Sequence, residues 1–125
     1  MRETLRCVSQ SPWVEQYAEF TVHAKDDSAW TWEGPKTREV DSELVVGALL
    51  DRFEPHAASL AEARSRLGLT YGVGLIIEMH GHITQEAGGG PDLHISTPAL
   101  SLSADVMTRM VALHCSLDVD QYVYT

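Results

Sequence analysis

The sequence predicts an α+β fold: a largely antiparallel sheet of four or five strands with two or three helices packed on one of its faces. Two observations carry that expectation. Stretches near 17–24, 71–83 and 117–124 alternate apolar and polar residues with a period of two, as strands with one buried face do. Stretches near 42–53, 55–67 and 103–114 instead repeat apolar residues every three or four positions, as helices lying on such a sheet do. Each long strand has a single apolar face, so the helices are expected on one side and the other side of the sheet is left polar.

At 125 residues the chain has the size of one domain, 1–125, with room for one core. Residues 1–12 carry no clear period and read as a loose arm or an edge strand. From Gln16 the alternation is clean: Ala18, Phe20, Val22 and Ala24 share one side, and Tyr17, Glu19, Thr21 and His23 the other. Asp26-Asp27-Ser28 is a turn signal. SAWTWEG follows as a second, hairpin-paired strand with Trp30 and Trp32 expected on its core face. After the polar connector GPKTREVD, Asp41 or Ser42 caps a first helix with an apolar stripe of Leu44, Val45, Ala48, Leu49 and Phe53. Pro55 closes it and opens a second helix holding Leu60, Ala63 and Leu67, which ends at Gly68; the two read as one kinked unit. TYGVGLIIEMHGHIT is the longest strand candidate, with Val73, Leu75, Ile77, Met79 and Ile83 on one face and Ile76, Glu78, His80 and His82 on the other. QEAGGGPD reads as a flexible loop and DLHIST as a short returning strand.

The C-terminal run is the most legible. Ser103 is an N-cap, Asp105 follows in the first turn, and Leu102 and Met107 stand at the positions of a hydrophobic staple. Val106, Met107, Met110, Val111 and His114 give the helix its apolar stripe. Beyond Cys115 the period returns to two, with Leu117, Val119, Gln121 and Val123 facing one way and Asp118, Asp120, Tyr122 and Tyr124 the other.

Eighteen acidic residues oppose nine basic ones, for a net charge of −9, and Arg109 is the only Lys or Arg after Leu67. A phosphate backbone requires clustered cations, so nucleic acid and anionic membranes are disfavoured as partners. The charge fits plain solubility, or a surface that docks a basic protein. No apolar run approaches the ~20 residues of a membrane helix. The opening MRETLRCVSQ lacks the apolar core of a secretion signal, so a cytoplasmic location is expected, with Cys7 and Cys115 reduced.

The sharpest constellation is Glu78, His80 and His82, which on one strand face would follow one another at about 6–7 Å. Two imidazoles and a carboxylate suit zinc or another divalent first-row metal. If this strand neighbours the last one, Asp118 and Asp120 extend the cluster, with Tyr122 beside them and Glu19 and His23 joining from the first strand. The plain alternative is an uncovered, solvated or interface-forming sheet face, which needs polar residues without binding anything. Asp118 and Asp120 do not make a glycosidase-like pair, because neighbours on one face point the same way. His114 and Cys115 diverge by about 100° on a helix, so they do not read as a nucleophile pair. The glycine run lacks the Lys-Ser/Thr of a phosphate loop, and no dinucleotide fingerprint or nucleophile elbow occurs.

Leu100, Ser101, Leu102, Ser103, Leu113, Leu117, Asp118, Asp120 and Tyr122 reproduce a helix start, a helix and an Asp-x-Asp-x-Tyr strand. In these, and in Ala29-Trp30 followed by ELVVGALLDRFEP, the chain resembles a bacterial family of domains of unknown function, family four-two-seven-nine, over roughly residues 29–124. The resemblance implies a bacterial protein of this fold and brings no activity with it. The leading expectation is a non-enzymatic interaction module, without cofactor, that uses the polar sheet face toward a basic partner or a second copy. The alternative is a metal-binding, hydrolytic protein built on Glu78, His80 and His82.

Overall fold

The computed structural model describes residues 12–85 and 91–125. The expected N-terminal arm, Cys7 and the glycine run lie outside them.

A four-stranded sheet forms in the order β2-β1-β3-β6, from β1 (Trp13–His23), β2 (Ala29–Glu33), β3 (Thr70–His80) and β6 (Cys115–Tyr124). The β1–β2 hairpin is antiparallel and turns at Asp26–Ser28, where the Asp26 carboxylate accepts from the Ser28 amide and Asp27 takes a positive φ. β1 and β3 pair antiparallel along their whole length, and β6 adds to β3 in parallel, so the sheet is mixed. A separate two-stranded hairpin joins β4 (His82–Gln85) to β5 (Pro91–His94).

The helices are α1 (Ser42–Phe53), α2 (Ala57–Leu67) and α3 (Ala104–Ala112), with a 3-10 turn at Glu54–His56 making α1 and α2 the expected kinked unit. Capping fixes their ends. The Asp41 carboxylate accepts from the Glu43 amide, the Ser103 hydroxyl accepts from the Val106 amide, and Gly68 closes α2 at φ 65°. Glu43 in turn accepts from the Ser103 amide, joining the starts of α1 and α3, and that bond lowers its carboxyl pKa. Farther along, Arg109 of α3 donates to Glu54 and Asp51 at the other end of α1.

One face of the sheet is covered. Val14, Ala18 and Phe20 of β1 and Val73, Leu75, Ile77 and Met79 of β3 meet Val45, Val46, Leu49 and Leu50 of α1 and Val106, Met110 and Leu113 of α3. α2 buries none of its residues fully; it is tied down where the Tyr71 hydroxyl donates to the Leu60 carbonyl.

Several sequence expectations are corrected. The buried stripe of α1 is Ser42, Val45, Val46, Leu49 and Leu50, while Leu44 is 58% exposed: the helix is rotated to bring small Ser42 against β1. In α3 the buried residues are Val106 and Met110, continued by Leu113, so Met107 and Val111 face outward. His114 has left the helix at φ 56°. Trp30 is 56% exposed, because it pairs with Val22 at the outer corner of the sheet, beyond the Trp32–Phe53 contact that marks the end of helical cover. Leu67 is exposed at the end of α2. The HGHIT stretch does not continue β3. At Gly81 the chain passes so close to His94 that a Cβ would collide with its carbonyl oxygen, and His82 and Ile83 belong to the β4–β5 hairpin. No helix among the described residues is long and apolar enough to cross a membrane.

Candidate functional site

No helix among the described residues lies on the other face of the sheet, and the register writes that surface out as rows. Starting from one end, these are Tyr124–His80–Trp13, Tyr122–Glu78–Glu15, Asp120–Ile76–Tyr17, Asp118–Gly74–Glu19–Glu33 and Ser116–Gly72–Thr21–Thr31. Rows stand about 6–7 Å apart. β3 therefore lies between β1 and β6, the arrangement that lets the polar faces of three strands adjoin.

The middle rows are acidic. Glu19 extends over β3 because Gly74 has no side chain; a Cβ there would stand 3.4 Å from Glu19 Oε2. Partial burial, then Glu33, then Asp120 raise the Glu19 carboxyl pKa above its ordinary 4.5. Glu19, Glu33, Asp118 and Asp120 enter no ion pair among the described residues. Tyr17, in the neighbouring row, has its phenol pKa raised by burial and then by Glu19, Glu33 and Glu78, against Lys36.

This has a consequence for stability. A carboxyl whose folded pKa exceeds its unfolded one weakens the fold as pH rises through the interval between them, since the unfolded chain gives up its proton first. The groups facing Glu19 are Glu33 from β2 and Asp120 and Asp118 from β6. Glu19→Gln is expected to gain stability over the parent as pH climbs from about 4.5, levelling off once Glu19 is fully ionised, by about 0.5 kcal/mol or less, since the group is only partly buried and solvent screens it. Urea denaturation at several pH values reads this out. A difference that stays flat with pH would mean that neither burial nor the neighbouring carboxylates raise the Glu19 pKa.

The upper rows are different. Glu15 and Glu78 are register partners, and Lys36, from the connector after β2, places its ammonium 2.9 Å from both Glu78 oxygens and 3.8 Å from Glu15 Oε2. The Glu78 bond raises the Lys36 pKa. His80 Nε2 lies 3.7 Å from Glu15 Oε2 and 3.8 Å from Glu78 Oε2, buried and without a hydrogen-bond partner. Its ring is stacked between Trp13 (centroids 4.5 Å apart, planes 3° apart) and Tyr124 (5.1 Å, 18°), and Arg38 sits 5.1 Å above Trp13. The Trp13 indole donates to Glu15 Oε1. A cavity of about 410 Å³ opens beside the stack, lined by Trp13, His80, Gly81, His82, Ile83, Tyr124 and Thr125.

The structure thus brings Glu78 and His80 together, with Tyr122 and Asp120 in adjoining positions, and separates His82, whose ring stacks on His94 at 5.1 Å. The expected three-in-a-row set fails because β3 ends at His80. Asp118 lies two rows from Glu78, and His23, opposite Thr70, is about 26 Å away along the strand. Glu15, which the sequence reading passed over, takes the third place.

Elsewhere the chemistry is thin. A cavity of about 440 Å³ between α1 and the 34–39 connector is walled mainly by Trp32, Leu44, Ala48 and Leu49. Its two charged residues are engaged: Glu39 accepts from the Val40 and Asp41 amides, and Arg52 lies 4.4 Å over Trp32. Burial pushes the Cys115 thiol up to about 11, and it donates to the Leu113 carbonyl, so it is a packing residue and a poor nucleophile.

The family described as Domain of unknown function (DUF4279) matches residues 15–124, and the chain belongs to it. The match begins in β1, ahead of the segment in which the likeness is legible by eye. No curated protein and no solved structure matches the chain.

Proposed function

We propose that this member of the DUF4279 family is a non-enzymatic binding module that takes a lysine- or arginine-rich protein segment on the uncovered face of its sheet. The observation that carries this reading is the convergence of Glu19, Glu33, Asp118 and Asp120 in two adjacent rows spanning β2, β1 and β6, with no cation paired to them among the described residues. Solubility needs acidic residues, but it does not need them in adjacent rows, where Glu19, its pKa raised first by burial, is raised further by Glu33 and Asp120. A basic partner removes that repulsion on binding, and its charge steers the encounter. Gly74 adds to this, since the missing side chain lets Glu19 lie across the central strand, nearer to Asp118 and Asp120. The same charge opposes a second copy stacked on these rows. Self-association belongs instead at the aromatic end, where Tyr122, Val123 and Tyr124 of edge strand β6 are exposed.

Hexa-arginine is a usable probe. Titrated into isotope-labelled protein at moderate salt, it is expected to shift the amide resonances of residues 17–21, 31–33, 72–76 and 116–120, and to leave α2 unmoved, where Glu62 is already paired with Arg66. Asp118→Lys with Asp120→Lys is expected to weaken the peptide about tenfold or more, as expected for charge reversal at a complementary surface. Shifts scattered over all acidic residues, or an unchanged affinity in the double variant, would count against the face as the docking surface.

A further inference from the structure

We propose that Glu15, Glu78 and His80 form a binding site for a divalent first-row cation of the zinc type, at the end of the uncovered face remote from Gly72. This goes beyond the docking of a basic segment, since it involves a different ligand held by different residues.

The donor set and its spacing carry the inference. Two carboxylates and a neutral imidazole supply one nitrogen, several oxygens and a charge that balances a dication. The three ligand atoms lie within 4.8 Å of one another, and His80 Nε2 is 3.7 and 3.8 Å from the two carboxylate oxygens. Around a tetrahedral zinc with bonds of about 2.0–2.1 Å, ligand atoms stand roughly 3.3 Å apart, so the histidine must approach each carboxylate by about half an ångström and the two carboxylates must close by at most about 1.5 Å, within the reach of glutamate side-chain rotation.

Three further features point the same way. His80 Nε2 is buried without a hydrogen-bond partner, an uncommon state for a buried polar atom, which a metal would satisfy. The imidazole is fixed between Trp13 and Tyr124, and Glu15 is oriented by the Trp13 indole on Oε1, leaving Oε2 toward the histidine, so little ordering is left to be done on binding. Finally, these carboxylates already attract a cation: the Lys36 ammonium bridges them. Lys36 is half-exposed on a connector and can swing into solvent, giving up a surface ion pair that solvent largely screens.

Competition between ammonium and metal gives the test its sign. Chelator-treated protein, purified without nickel resin, is titrated with zinc chloride by calorimetry, and native mass spectrometry counts the ions bound. One zinc per chain is expected. Glu78→Gln and His80→Ala each weaken it on the order of tenfold or more, since losing a ligand costs at least as much as losing a residue that orients one. Lys36→Ala tightens binding about two- to fivefold, the worth of an exposed ion pair, a gain that damage to the fold cannot imitate. His82→Ala leaves it unchanged. No stoichiometric zinc, zinc binding indifferent to Glu78→Gln, or weakened binding in Lys36→Ala would each overturn the site, as would a loss caused by His82→Ala.

Discussion

Gln16→Leu is expected to lower the stability of the fold by about 1–4 kcal/mol, from the penalty of leaving one buried and one partly buried polar group without partners. Gln16 is 0% exposed on the core-facing side of β1. Its amide donates to the Glu39 carbonyl and accepts from the Ser42 hydroxyl, itself 1% exposed at the start of α1. The backbone of Gln16 also exchanges two bonds with Thr37. These contacts exist because β2 is short: past Glu33 the edge of β1 has no strand to pair with, and the 34–39 connector fills the place. Gln16 thus fastens both that connector and the first turn of α1 to the sheet. Leucine matches glutamine closely in volume, so the loss isolates the hydrogen bonds from packing. In urea the midpoint is expected to fall by about 1–3 M at an ordinary denaturant slope. Adding Ser42→Ala should return part of the loss, because one orphaned group disappears with it. A loss below about 0.5 kcal/mol, the range of an ordinary surface change, would mean that water satisfies both groups. The connector also carries Lys36 and Arg38, so the variant should loosen the cation that guards Glu78.

Gln16 also shows where the sequence could be read and where it could not. The parity of β1, β3 and β6 was legible because aliphatic residues recur every second position with polar ones between. The caps at Ser103 and Gly68 were legible, and that of α1 was narrowed to Asp41 or Ser42, because each rests on local chemistry. The beginning of β1 was missed because a glutamine stands at a core position. That interrupts the apolar pattern and hides Trp13, Val14 and Glu15 behind it, and with them a member of the candidate metal site. The rotation of α1 was not legible either. SELVVGALL is apolar on more than one side, and what selects the buried stripe is the distant Gln16–Ser42 bond. α3 has the same ambiguity, with Met107 and Val111 as apolar as the residues it buries. The end of β3 was hidden because HGHIT keeps the alternation through Gly81, and only the close passage of His94 shows that His82 has left the sheet. The acidic rows, by contrast, followed once β3 was placed between β1 and β6. Strand order, like the rotation of α1, depends on contacts between distant segments, which one-dimensional patterning does not contain.

The second large effect is expected at Phe20→Ala, which should cost about 3–5 kcal/mol, as truncation of a buried aromatic does. Phe20 is 1% exposed, with Trp32 opposite it on β2 and Val73 on β3. Its ring stacks on Phe53 at 4.1 Å and tilts against Tyr71 at 5.5 Å, and Phe53 meets Trp32 edge-on at 5.7 Å. The hairpin, the central strand and the end of α1 therefore share this one ring, and the kinked unit is tied in through Tyr71. Its removal leaves a cavity whose walls come from separate elements and cannot collapse together. Against a total stability of about 5–15 kcal/mol, the loss should appear as a fall in Tm on the order of 10–20 °C. Phe53→Ala is the control. That ring is only half-buried, so its truncation should cost less, and a larger loss there would mean that the centre of the cluster lies on the helix. The variant also separates stability from binding. Glu19 and Thr21 flank Phe20 but point to the opposite face, because side chains alternate along a strand. At a temperature where Phe20→Ala remains folded, its affinity for hexa-arginine should equal that of the parent, while Asp118→Lys with Asp120→Lys should lose affinity and keep its Tm within a few degrees. If Phe20→Ala instead weakens the peptide while folded, the two faces of the sheet are coupled, and the uncovered one is not a surface that can be assigned by itself.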